Sequence, residues 1–120
     1  MNEKPRELMD KLYIAVRADI PPGLQTAQAC HAAFQFYDEH PEVTREWIRT
    51  SNFIVIVNVN DENELLTLAA EASMGHNLVV SKVVEPDLGD EFTAIAIEPG
   101  EKASALCASY PLCLRNAFTM

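Results

Sequence analysis

The 120-residue chain is about one domain long, and 48% hydrophobic with 22% charged residues is a globular composition, not a disordered, collagenous or repeat one. Eighteen acidic against nine basic side chains leave a formal charge of −9, which argues against a surface that grips nucleic acid as a whole while allowing a small basic site in an acidic shell. No apolar run approaches the roughly 18 residues that cross a bilayer, so no membrane span is expected. Residues 1–11 carry three acids and three bases and read as a short polar leader, not a signal peptide. Cys30, Cys107 and Cys113 are odd in number and form no CxxC pair. That speaks against a disulfide framework or zinc knuckle and for reduced thiols in the cytoplasm. His31, His40 and His76 are scattered, so no metal ligand set is visible.

In chain order, LYIAV at 12–16 is a buried-strand run, and Pro21-Pro22-Gly23 then breaks any regular structure. A helix is expected over 24–39, where Leu24, Ala27, Cys30, Ala33, Phe34 and Tyr37 recur near helical spacing and Cys30 reads as core. His40-Pro41 stops it, and a short helix over 42–49 offers Val43, Trp47 and Ile48. FIVIVNV at 53–59 is the strongest strand, and its unalternating hydrophobicity places it centrally in a sheet covered on both faces. Asp61 then caps a helix, Glu64 reaches back, and Gly75 ends it. Strands over 78–84 and 92–97 flank a polar loop, a last helix covers 101–109, and the residues of the tail, 111–120, have no assigned element. The order is βααβαββα: a single α/β domain with three αβα layers and a mixed four-stranded sheet. The first three strands are joined by crossovers, and the fourth runs antiparallel to the third.

Sites in such sheets form outside the carboxyl ends of parallel strands. That rule selects Arg17 and Asp19 after the first strand, the Pro-Pro-Gly loop with Gly23, and Lys82 to Asp90 around the end of the third. Gln28 and His31, three apart, project from one side of the first long helix. Asp87, Asp90 and Thr93 complete the set. Bland readings stand beside these: His31 as a buried packing residue, Arg17 and Asp19 as a solvated strand end, Asp87 or Asp90 as turn caps. Gly23 lacks a GxGxxG or GxxxxGK context for a phosphate cradle.

Three blocks together resemble one family: VRADIPPGLQTAQACHAAF at 16–34, DENELLTLA at 61–69, and EPDLGDEFTAIAIEPG at 85–100. With AQxxHAA at Ala27–Ala33 and a late Asp-x-Gly followed by a strand threonine, the chain resembles the type 2 peptidyl-tRNA hydrolases, in their compact bacterial or phage-like branch, over about residues 12–110. The resemblance implies hydrolysis of the ester joining a peptidyl or N-acyl-aminoacyl group to the 3′ end of tRNA. It implies no metal or organic cofactor, and a homodimer. It carries catalytic roles onto Asp19, Gln28, His31, Asp87 and Thr93; Arg17, Gly23, Lys82 and Asp90 are placed on the substrate side by their position at the strand ends and the helix start. Water would attack directly, His31 orienting or deprotonating it. The chain departs from the family at the loop into the helix: Leu24 stands where a lysine is usual, and no lysine lies between Lys11 and Lys82. Arg17, Lys82, Arg45 and Arg49 are the available cations. Two other readings stay open, a catalytically silent relative that binds a partner or the tRNA end, and a small hydrolase of another acyl ester.

Overall fold

The first strand, β1 (Lys11–Arg17), is central, and every residue of it after Lys11 is buried. It pairs in parallel with β2 (Phe53–Val59), from Lys11 opposite Phe53 to Arg17 opposite Val59. On its other side β1 pairs antiparallel with β4 (Glu91–Ile97), which pairs antiparallel with β3 (Val80–Glu85). The sheet order is β2-β1-β4-β3, mixed as the connection lengths require. This computed structural model describes residues 10–115; most of the leader and residues 116–120 of the tail lie outside the described residues.

Helices cover both faces. Helices α1 (Pro22–Glu39) and α2 (Pro41–Thr50) pack on one side, where Leu12, Ile14, Val16, Phe36, Trp47, Ala94 and Ala96 share a core. The short α3 (Glu62–Ala70) and α4 (Glu101–Cys107) pack on the other, over Ala15, Val57, Leu65, Leu68, Ile95 and Ile97. Strand alternation divides the two sets: Ile14 and Val16 face α1, whereas Tyr13 and Ala15 face α3. The indole N–H of Trp47 donates to the Phe53 carbonyl at 3.1 Å and fastens α2 to the start of β2.

Four expectations need correction. The hydrophobic run at Phe53–Val59 forms an edge strand, not a central one. Apolar residues on successive positions report cover above and below a strand, but say nothing about neighbours beside it. Its free side is partly covered by the C-terminal segment: the amide of Asn58 donates to the Pro111 carbonyl at 2.9 Å and that of Cys113 to Ile56 at 2.8 Å, with Leu112 bridged to Val57. The buried stripe of α1 is Gln25, Gln28, Ala29, Ala32 and Phe36, while Ala27, Cys30, Phe34 and Tyr37 lie outward. Cys30 is therefore exposed and not core. Finally, the helix after Asp61 ends in a π-helical turn, Glu71–Gly75, and the left-handed residue beyond it is Asn77, at φ 55°, in place of a Gly75 cap. The cap at its start is as expected: Asp61 accepts from the Glu64 amide at 2.9 Å, while the Glu64 carboxylate accepts from the Asn60 amide at 2.7 Å.

Phe36 and Phe34 sit two residues apart with opposite burial, 0% and 77% exposed. Phe36→Ala should lower unfolding stability by about 3–5 kcal/mol, the range for emptying a core aromatic site. Phe34→Ala should stay within about 0.5 kcal/mol, as for an open surface position. Urea unfolding of both variants checks the rotation of α1 directly.

Candidate active site

At the carboxyl end of β1, Arg17 turns back onto its neighbours. Its Nε and Nη2 donate to both oxygens of Asp19 at 2.8 and 3.0 Å; Nη1 donates to Glu91 at 2.6 Å and to the Phe92 carbonyl at 3.2 Å. Arg17 is 8% exposed, and these contacts join the end of β1 to the start of β4. The hydrogen bond to Asp19 raises the Arg17 pKa further above an already high value; the same bond holds the Asp19 carboxyl below the usual carboxylate range. One cation thus faces two carboxylates.

Along the other edge, α1 crosses β3 and leaves an open groove of about 670 Å³. Residues three and four apart along α1 face it: Gln28, His31, Phe34, Gln35 and Asp38, with Val84, Glu85 and Pro86 opposite. Gln28 is 2% exposed; its Nε2 donates to Glu85 at 3.0 Å, and its Oε1 has no partner. His31 is exposed on the helix, which disposes of its reading as a buried packing residue. Gln35 donates to the Lys82 carbonyl at 2.7 Å and to Glu39 at 3.0 Å, and Ser81 donates to Glu39 at 2.6 Å, so α1 is pinned to β3 below the groove.

The remaining expected residues are distributed around this frame. The Lys82 ammonium lies 5.6 Å from the centre of the Phe92 ring, which packs on the α3 side, so strand alternation carries Lys82 to the face away from His31. Arg17 and Lys82 therefore do not form a positive patch beside the histidine. Thr93 is fully buried and its hydroxyl lacks a partner. It occupies an irregularity in the β3–β4 ladder, where Val83 opposes Ala94 but Val84 opposes Phe92, leaving Thr93 as the extra residue of a bulge. Asp87 is exposed in the 3₁₀ turn Pro86–Leu88, and Gly89 and Asp90 come next in left-handed conformations at φ 68° and 63°. Gly23 lies in the first turn of α1 with open space around its α-carbon, so no close approach requires a glycine there. Leu24 is half-buried against the core beneath α1. The groove thus unites Gln28 and His31, while Asp19 belongs to the Arg17 cluster.

Sequence reasoning missed Glu85 and Glu91, whose roles come from contacts with elements far apart in the chain, Gln28 on α1 and Arg17 on β1. It also missed a network at the ends of β1 and β2. There Gln25, 5% exposed, donates to the Ile20 carbonyl at 2.8 Å and accepts from Asn58 at 3.0 Å. The Asn58 side chain also donates to the Val16 carbonyl at 3.0 Å and accepts the Leu114 amide at 3.2 Å, which seats the C-terminal segment. Among the described residues, no group of three His, Cys, Asp or Glu side chains is placed to hold a metal ion, and no helix is long and apolar enough to cross a membrane.

A family model described as peptidyl-tRNA hydrolase PTH2 matches residues 10–106. No curated protein matches the sequence. Among solved structures, the fold is similar to that of the protein of unknown function Atu0240 from Agrobacterium tumefaciens strain C58, with a TM-score of 0.61 and 12% identity, over 86% of this chain and 96% of that one.

A carboxyl whose pKa is held low in the fold contributes stability above its unfolded range and loses it as pH falls through the folded value. Asp19 is partly exposed, so solvent screens its pair with Arg17. Asp19→Asn should cost on the order of 1 kcal/mol at neutral pH, and the gap to the parent should close below the ordinary aspartate value of about 3.9. Denaturant midpoints taken across the acid range test this; an unchanged gap at low pH would mean that the Arg17–Asp19 bond is not its source.

Proposed function

From its membership of the peptidyl-tRNA hydrolase PTH2 family, to which the chain belongs by its match over residues 10–106, we propose that it hydrolyses the ester between a peptidyl or N-acyl-aminoacyl group and the terminal ribose of tRNA. The observation that carries this reading is the pairing of an exposed His31 with a buried, half-satisfied Gln28 in one open groove. Water attacks the ester carbonyl directly, with no covalent enzyme intermediate. The His31 imidazole, the side chain type suited to proton transfer near neutral pH, takes or orients the water proton. Asp19 is held by Arg17, so the partner that fixes the imidazole or the water comes from the β3–β4 side, from Glu85 or Asp87. Gln28 donates an amide hydrogen to Glu85, and its oxygen accepts from a ribose hydroxyl. Thr93, buried and unpartnered at the bulge, is the neutral donor assigned to the developing oxyanion.

Leu24 provides no charge, and Arg17 positions strand ends instead of binding phosphate. Phosphate contacts then fall to exposed Arg45 and Arg49 on α2, since Lys82 lies on the other face of the sheet. The reading includes a cytoplasmic homodimer that needs no metal or organic cofactor. One observation favours a second reading, the silent relative: the position usual for the family lysine is here a packing residue.

His31→Ala should reduce release of N-acyl amino acid from tRNA by on the order of 10²–10⁴-fold, with thermal unfolding unchanged because the side chain is exposed. A folded His31→Ala variant with parental turnover removes the histidine from the mechanism. A wild-type protein without detectable hydrolysis moves the assignment to the silent relative. Turnover should survive a chelator, and sedimentation at micromolar concentration should give a dimer; a monomer that still turns over removes the dimer alone.

A further inference from the structure

Phe34 is the most exposed aromatic ring among the described residues, and it stands one helical turn beyond His31 on the wall of the same groove. A lone exposed apolar side chain is ordinary. This one is not alone: Val84, 42% exposed, and Pro86 face it across the groove and extend an apolar surface. Apart from His31 and the amide of Gln35, which is engaged with Lys82 and Glu39, the polar groups around that surface are acceptors. Gln28 Oε1 is buried and without a partner, Glu85 uses one oxygen on Gln28, and Asp38 adds a carboxylate. Among the described residues, no lysine or arginine lines the groove.

That combination excludes a phosphate and fits a flat, uncharged ring that carries hydrogen-bond donors on its edge. Resting on the hydrolase reading above, we propose that Phe34 is the stacking platform for the unpaired terminal adenine of the tRNA acceptor end. The exocyclic amine of the base turns toward the carboxylates of the groove. Three residues of helix separate Phe34 from His31, about 4.5 Å along the axis. That distance is on the scale of the step from a nucleobase to its own ribose, so a base on Phe34 sets the ribose ester beside His31. Stacking of this kind tolerates any base face, and the choice among bases comes from the edge. A uracil in the same place would turn a carbonyl toward Asp38 and Glu85, and is disfavoured. In this way a chain of net charge −9 can hold the end of an anionic substrate: the groove takes the base, and the phosphates stay outside it.

The trinucleotides CpCpA and CpCpU are the probes, titrated into wild type, Phe34→Ala and Phe34→Trp. Wild type should bind CpCpA more tightly than CpCpU. Phe34→Ala should weaken CpCpA by on the order of 5- to 100-fold, the size of one lost base stack. Phe34→Trp should retain binding, and its added indole emission should be quenched by CpCpA. On peptidyl-tRNA, Phe34→Ala should raise KM more than it lowers kcat. Equal CpCpA affinity in wild type and Phe34→Ala overturns the platform, as does a Phe34→Ala variant altered only in its sedimentation, which would make the ring a contact between copies. Phe34-dependent CpCpA binding by a protein that releases no peptide keeps the platform and removes the hydrolase reading. Hydrolysis untouched by Phe34→Ala does the reverse.

Discussion

Small side chains at the seam between α1 and the sheet decide how the site is assembled. Ala29 and Ala32 of the helix share a buried cluster with Ala94 and Ala96 of β4, and none of the four is more than 4% exposed. With methyl groups facing methyl groups, the helix axis can lie close to the strands, and one rotation of α1 gives that contact. In that rotation Phe36 fills the space nearer α2, Gln25 and Gln28 are drawn beneath the helix, and His31 with Phe34 is turned to the β3 edge. A larger residue at Ala32 or Ala94 would lift or turn the helix and move every one of these groups.

The two buried glutamines show what that proximity achieves. Each sits at the sheet's carboxyl edge, where strand carbonyls and loop amides otherwise lack partners. Gln25 meets its hydrogen-bonding capacity within the protein, through Ile20 and Asn58. Gln28 leaves its carbonyl oxygen unused. In a buried setting an unmet acceptor is costly. Of two like residues one helical turn apart, only Gln28 keeps an unmet acceptor.

Much of this was legible in the sequence. The order of elements, the mixed sheet, the Asp61 cap and the i,i+3 pair of Gln28 and His31 all come from local patterns. The rotation of α1 was not legible, because alanines occur all around that helix and a period with weak contrast fits more than one face. Large side chains at Phe34 and Tyr37 pulled the expected face outward. Glu85 and Glu91 escaped notice for a different reason. Nothing local distinguishes them from other strand-end acids, and their partners, Gln28 and Arg17, lie 57 and 74 positions away. The edge position of β2 was hidden as well, since hydrophobic runs encode faces and not flanks.

The short C-terminal segment from Pro111 to Arg115 bears on a hazard that enzymes with open sheets share. Strand β2 reads FIVIVNV, is rich in β-branched residues, carries no charge, and ends the sheet. Such an edge is a template for pairing with another chain. By bonding to Ile56 and Asn58, the segment occupies donors and acceptors that a second strand would need. Fewer backbone groups along the free edge of β2 are thereby left open to a second strand.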